Sequence, residues 1–270
     1  MHTLSLVIPT KDRPHLLRRA LRSIAAQDRR PIEVVIVDDG SATACADVVS
    51  EYPDLNIVVH RNEQSVGAAA ARNIGAMSAK GSLIGFLDDD DEYLPGALSN
   101  VLGFWQRPER KVSLTWCGAE ISPIPGVADT ELPEPWTVRF GDERANQELI
   151  ESQLLSVGIG FGVFVCASAF SRVQGFDHRY KLVEDTDFFL RFLGNGYGVA
   201  PLDIVGVRLH QHAGERLTNS THNLRRSNEC VSLLWRHRRY LSGRPLLRTQ
   251  LVRRTKRLRS IDELDGIETY

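Results

Sequence analysis

Nowhere in the sequence do apolar residues run unbroken for the ~18 positions that a membrane-spanning helix needs. Pro9, Lys11, Asp12 and Arg13 interrupt the first apolar run, so no secretory leader is expected there. Cysteine is scarce: Cys45, Cys117, Cys166 and Cys230 are widely spaced and form no CxxC pair. That argues against a disulfide scaffold or a cysteine-held zinc, and for small core residues in a reducing cytosol. A net charge of either sign is also missing, but the total of −1 conceals a strong polarity. Between His222 and Ser260, twelve Arg or Lys residues face one acid, Glu229; that segment carries +11 and the remainder −12. What is plentiful is core material, since 42% of the 270 residues are hydrophobic, enough for one large core or two smaller ones.

The first hundred residues alternate strand and helix. Leu4–Ile8 reads as a strand stopped by Pro9, and Asp12 is expected to cap a helix with Pro14 in its first turn. Glu33–Val37, Asn56–His60 and Ser82–Leu87 read as further strands. Helices are expected up to about Tyr52 and, capped by Ser65, over Ala68–Ala79. Strands apolar throughout and separated by helices imply a parallel sheet covered on both faces. Beyond Pro95 the pattern is less regular. Helices are expected near Ala97–Trp105 and Gln147–Leu155, strands near Val112–Trp116 and Val163–Ala167, and a long loop over Ser122–Pro135. The run Gly158-Ile159-Gly160-Phe161-Gly162 precedes its strand, so it lacks the context of a dinucleotide-binding loop and reads as a tight or mobile turn.

Chemistry concentrates where the strands end. Ser82–Leu87 runs straight into Asp88, Asp89, Asp90 and Asp91. Unit charges ~4 Å apart repel by roughly 4 kcal/mol at an effective dielectric of 20. A divalent cation with oxygen ligands relieves that repulsion and suits a phosphate-bearing substrate. Open α/β sheets bind ligands at this edge. Pro9-Thr10-Lys11-Asp12-Arg13 and Asp38-Asp39-Gly40-Ser41 end the first two strands on the same side, and Ser65-Val66-Gly67 opens a helix whose N–H groups favour an anion. Each cluster alone is compatible with ordinary turn or cap chemistry. Together they describe a nucleoside diphosphate bound through a metal.

The ordered set resembles the family 2 glycosyltransferases. It consists of Val7-Ile8-Pro9-Thr10 with Arg13-Pro14, Val37 to Ser41, Gly67 with Ala71-Arg72-Asn73-Ile74-Gly75, Phe86 to Asp91 with Tyr93 and Pro95, then Gly175-Phe176-Asp177, Glu184-Asp185 and Arg191. The match covers roughly residues 3 to 218. The resemblance implies an α/β GT-A fold, a Rossmann-like, mostly parallel sheet flanked by helices. It implies an inverting enzyme that moves a sugar from a nucleotide donor, most readily a UDP-sugar, to a hydroxyl acceptor with Mn²⁺ or Mg²⁺. By that resemblance Pro9, Thr10, Arg13, Asp39, Gly67, Arg72, Asp88 and Asp89 bind the nucleotide. Asp90 and Asp88 hold the metal, with His210 or His212 beside it and Arg216 as a phosphate contact. Asp185 is the base that takes the acceptor proton, and Glu184 supports it. Lys11 stands where many relatives carry an aromatic residue that stacks on the base.

The expected organisation is a catalytic domain over 1–220, with a nucleotide-binding half (1–100) and an acceptor-side half (101–220). A basic helical C-terminal extension follows over 221–270. Its stripe of Leu224, Val231, Leu234 and Leu241, with Trp235 adjacent, suits either packing on the catalytic domain or peripheral contact with an anionic membrane from the cytoplasmic side. A glycan or lipid-linked glycan in polysaccharide or cell-envelope synthesis is the expected acceptor, and nucleic acid is not an expected partner. Two other functions share these features: a sugar-phosphate nucleotidyltransferase, disfavoured because the first strand is not followed by a Gly-rich basic triphosphate loop, and a non-catalytic nucleotide-sugar-binding protein.

Overall fold

The computed structural model describes residues 2–107, 111–122, 136–140, 146–211 and 222–265. Four strands, β1 (Leu4–Thr10), β2 (Glu33–Asp38), β3 (Ile57–Arg61) and β4 (Leu83–Phe86), form the expected parallel run in the order β3-β2-β1-β4. Past β4 the sheet is mixed. β8 (Phe164–Cys166) is antiparallel to β4 and to β6 (Leu114–Ser122), and β6 also pairs antiparallel with β7 (Trp136–Val138). β9 (Val199–His210) lies parallel to β6 and carries β5 (Asp91–Tyr93) antiparallel at the edge.

Alternation along β1 feeds two cores. Leu4, Leu6 and Ile8 meet Leu17, Leu21 and Ile24 of α1 (Pro14–Ala25) and Leu98 and Val101 of α4 (Ala97–Trp105). Val7 joins the opposite core with α3 (Ala68–Ser78), α5 (Gln147–Ser156), α6 (Ala167–Arg172) and α7 (Glu184–Gly194). There Phe86, Phe170, Phe176 and Phe188 pack with neighbouring ring centroids 4.9 to 5.7 Å apart. A short helix, α2 (Ala46–Ser50), links β2 to β3.

The basic C-terminal segment forms α8 (Asn223–Arg236), α9 (Arg238–Ser242) and α10 (Pro245–Asp265), broken at Gly243 and Pro245 as expected. Cys230, Leu233, Leu241, Leu247 and Leu251 enter the same core as α5 and α7. The expected α8 stripe is rotated. Its buried face is Asn223, Ser227, Cys230 and Leu233, while Leu224, Val231 and Trp235 are exposed. Ser227 is tolerated inside because it finds partners: its hydroxyl donates to the Thr255 carbonyl (3.3 Å) and accepts from Arg259 Nε (3.1 Å).

Both expected helix caps are corrected. Arg13 and Gly67 occupy the cap positions of α1 and α3, and neither helix has a side-chain cap. Asp12 sits at φ +54°, accepts the Ala42 N–H (2.7 Å) and donates its own N–H to Ser41 Oγ (2.9 Å). The Ser65 hydroxyl is taken by Asp39 instead. The strand expected near Val112 starts at Leu114 and runs on to Ser122; the residues expected beyond it as a loop, 123–135, lie outside the described residues. β5, β9 and α6 had no clear sequence signal. Pro201, Asp203 and Gly206 interrupt the period of β9.

Candidate active site

The carboxyl ends of β1, β2 and β4 open onto one cleft of about 780 Å³, closed on the far side by residues 158–161, 181–185 and α8. Pro9, Thr10, Lys11, Arg13, Asp39, Gly67, Arg72, Asp88, Asp89, Asp90, Glu184 and Asp185 all line it, so residues far apart in sequence meet around one space. His210 is not among its lining residues, whereas its neighbour Leu209 is, as strand alternation requires. The His210 ring bonds Glu92 (2.6 Å) and the backbone N–H of His210 donates to Asp91 Oδ1 (3.1 Å), so it supports the acidic turn from behind instead of entering the cleft. Burial pulls its pKa down, against the pull of Glu92. His212 and Arg216 lie outside the described residues.

Asp88, Asp90 and Asp91 each offer an oxygen, all within 4.8 Å of one another. This is a hard-oxygen set suited to Mg²⁺ or Mn²⁺. Gly160 leaves the room: a Cβ there would stand 3.1 Å from Asp88 Oδ2 and 3.3 Å from Asp91 Oδ2. The residues present therefore fit a divalent cation, and Asp91 joins the pair expected from sequence. Asp89 is not part of that set and accepts Thr10 Oγ1 (2.7 Å) and Arg13 Nη1 (3.3 Å). Burial pushes its carboxyl up to about 6.

Asp39 is held by four donors: Asn62 Nδ2 (2.8 Å) and the Val66 N–H (2.8 Å) on Oδ1, Ser65 Oγ (2.7 Å) and the Gly67 N–H (2.9 Å) on Oδ2. Burial opposes its ionisation, but these donors outweigh it and keep the pKa low. The anion expected at the start of α3 is therefore, for Val66 and Gly67, an internal one.

Arg72 joins the two sides of the cleft. Its guanidinium donates to Asp88 Oδ1 (2.7 Å) and to Glu184 Oε1 (3.2 Å). Burial opposes its charge, yet Asp88 and Glu184 raise its pKa. Glu184 shifts upward despite that partner, because burial and then the adjacent Asp185 charge disfavour a second anion. Asp185 accepts the Thr186 N–H (2.6 Å) and hydroxyl (3.2 Å) on Oδ1. Its Oδ2 lies 3.3 Å from where a Gly158 Cβ would stand. Phe188 and Phe189 are fully buried behind these acids and do not wall the cleft. The run Gly158–Phe161 thus passes between the base candidate and the acidic cluster, a placement that its glycines alone did not announce. Lys181, His222 and Arg226 also line the cleft and carried no sequence signal.

The fold has known counterparts. Solved structures similar to this chain include TarS 1–349 of S. aureus in complex with UDP-GlcNAc (TM-score 0.66, 20% identity, 86% of this chain and 65% of that one). A second is the mannosyltransferase PcManGT from Pyrobaculum calidifontis in complex with GDP-Man and Mn²⁺ (TM-score 0.63, 17% identity, 95% and 74%). Among curated relatives, the GalNAc(5)-diNAcBac-PP-undecaprenol beta-1,3-glucosyltransferase of Campylobacter jejuni is 37% identical over 105 residues, 38% of this chain and 34% of that one. The chain spans 58% to 62% of the length of the first curated relatives it matches. The family model "Glycosyl transferase family 2" matches residues 5–167, more than half of the sequence. With a GT-A sheet and that match, the chain belongs to glycosyltransferase family 2.

Proposed function

We propose that the protein transfers a sugar, with inversion, from a nucleoside-diphosphate donor, UDP-linked by preference, to a hydroxyl of a glycan or lipid-linked glycan. The observation that carries this reading is the single cleft in which the Asp88–Asp90–Asp91 cluster and Asp185 face one another, with Arg72 bridging Asp88 and Glu184. The nucleotide is assigned to the side of Pro9, Thr10, Arg13, Asp39 and Gly67. A base approaching Asp39 must share or displace one of its four donors. Asp88, Asp90 and Asp91 would hold a divalent cation, which when bound offsets charge on the departing diphosphate. Asp185 receives the proton of the acceptor hydroxyl as that oxygen bonds to the anomeric carbon. The bond from that carbon to the diphosphate breaks, and the diphosphate leaves with the electron pair. Glu184, locked to Arg72, holds the helix start that carries Asp185.

Support for a UDP donor and a lipid-linked acceptor comes from the ligand of TarS and the name of the Campylobacter relative. The outer face of α8 exposes Leu224 (58%) and Trp235 (70%) among Arg225, Arg238 and Arg239, a surface suited to an anionic membrane. No helix among the described residues is long and apolar enough to cross one.

A thermal-shift screen of nucleoside diphosphates and nucleotide sugars, with and without Mn²⁺, tests the donor and metal assignments. UDP is expected to stabilise the protein only with the metal, and Asp90→Ala is expected to abolish that dependence. Metal-independent stabilisation unchanged in Asp90→Ala removes the metal role.

A further inference from the structure

The arginines on the donor side of the cleft are matched to acids: Arg13 pairs with Asp89 and Asp90, and Arg72 with Asp88 and Glu184. The opposite wall differs. Arg226 lines the cleft from α8 and, among the described residues, forms no ion pair; its buried Nε, like that of Arg72, has no hydrogen-bond partner among them. Behind it, Arg254 of α10 donates to Thr186 Oγ1 (3.2 Å), next to the proposed base. His222 lines the same wall one turn before Arg226. Burial, then the Arg254 charge, pulls the Arg226 pKa below its ordinary value. Two guanidiniums held close in a half-buried place are unfavourable unless an anion joins them.

The wall is also anchored. Glu229, one turn after Arg226, accepts the backbone N–H groups of Lys181 (3.1 Å) and Leu182 (2.9 Å), which ties α8 to the segment leading into Glu184 and Asp185. Asp185 and Glu184 are the carboxylates that act most strongly on Arg226 electrostatically. Arg226 therefore belongs to the acceptor's side of the sugar.

Resting on the glycosyl-transfer reading of the cleft, we infer that Arg226, with His222 beside it, forms a phosphate subsite on the acceptor wall, and that the acceptor is a phosphorylated glycan. A guanidinium fork meets a phosphate through two parallel hydrogen bonds, which fixes the acceptor's register as well as its affinity. Held there, a phosphate brings the attached sugar's hydroxyls past Asp185.

Calorimetric titration of the intact protein, first saturated with UDP and Mn²⁺, uses glucosyl phosphate as the probe and free glucose as its control. Glucosyl phosphate is expected to bind and glucose not to bind at the same concentration. Arg226→Gln is expected to weaken glucosyl phosphate by about tenfold or more. Arg226→Lys should fall between, and UDP affinity should stay within about twofold of the parent. Equal binding of the two probes, or an Arg226→Gln variant that binds glucosyl phosphate normally, overturns the inference. So does an equal loss of UDP affinity, which would put Arg226 on the donor diphosphate. If Arg226→Gln does not fold, Arg226→Lys and Arg254→Gln carry the same comparison. If UDP and Mn²⁺ do not bind the parent protein, the donor reading falls, and titration of glucosyl phosphate alone still decides the subsite.

Discussion

Asp39 and Asp185 are both carboxylates at the ends of turns, yet their surroundings give them opposite capacities. All four acceptor positions of Asp39 are filled by the β3–α3 segment, residues 62–67, so it organises the cleft floor before any ligand arrives. Among the described residues Asp185 is bonded only on Oδ1, which leaves Oδ2 facing Gly158 for a proton. Asp185→Asn keeps size and charge-neutral hydrogen bonding but cannot accept that proton. Turnover should fall ~10²–10⁴-fold while donor affinity, measured by UDP titration, stays close to the parent. Loss of both together would mean that Asp185 is structural. Gly160→Ala tests the acidic cluster from the other direction. Its methyl would crowd Asp88 Oδ2 and Asp91 Oδ2 at 3.1 and 3.3 Å, so the Mn²⁺ concentration for half-maximal activity should rise about 10–100-fold, with UDP still able to bind. An unchanged Mn²⁺ requirement argues against Asp88 and Asp91 acting together.

At the scale of elements, α7 is the hinge between the chemistry and the C-terminal helices. Its Asp187, fully buried, meets Arg191 Nε (2.7 Å) and His237 Nε2 (2.9 Å), the second from the start of α9. Burial works against its ionisation, but His237 and Arg191 outweigh it and depress the pKa. Asp177 is depressed too, chiefly by Arg179, with burial opposing and Arg236 of α8 helping. A carboxylate with a depressed folded pKa adds stability that is fully present above its unfolded value of ~3.9 and is lost as pH falls through its folded value. The melting temperature should therefore drop steeply as pH falls below about 4, and less steeply in Asp187→Asn, which should already be less stable at pH 7. His237→Ala leaves Arg191 in place and should cost about 1–3 kcal/mol in chemical denaturation. Equal acid sensitivity of Asp187→Asn and the parent would show that this pair does not anchor α9.

For the whole molecule, the polarity of charge seen along the chain becomes a polarity in space. Acids gather at the sheet edge, and the cations of α8–α10 divide between the cleft wall and the outer surface. The outer face of α8, with Arg238 stacked 4.4 Å over the Trp235 ring, should bind anionic vesicles in co-sedimentation and release them as salt rises. Trp235→Ala combined with Leu224→Ser should weaken that binding without altering UDP affinity. Binding to neutral vesicles as strong as to anionic ones would refute the electrostatic part, and no binding to either would remove the surface as a membrane contact.

The sequence by itself determined the parallel half of the sheet, the helices between its strands and the acidic turn after β4, since these depend on local periodicity and turn chemistry within about ten residues. Ordered along the chain, those motifs also marked the family. Tertiary structure alone decided where each polar group spends its hydrogen bonds. Asp39 turned inward on residues 62–67, His210 turned to Glu92, and Asp91 joined Asp88 under the cover of Gly160. β9, with Pro201 and Gly206 inside it, was visible only once β6 gave it a partner. Arg72 and Arg226 make the same point most simply. Both are helix arginines facing one cleft, but Asp88 and Glu184 converge on the first and, among the described residues, no carboxylate pairs with the second, a difference set by how distant segments pack and written in neither local sequence.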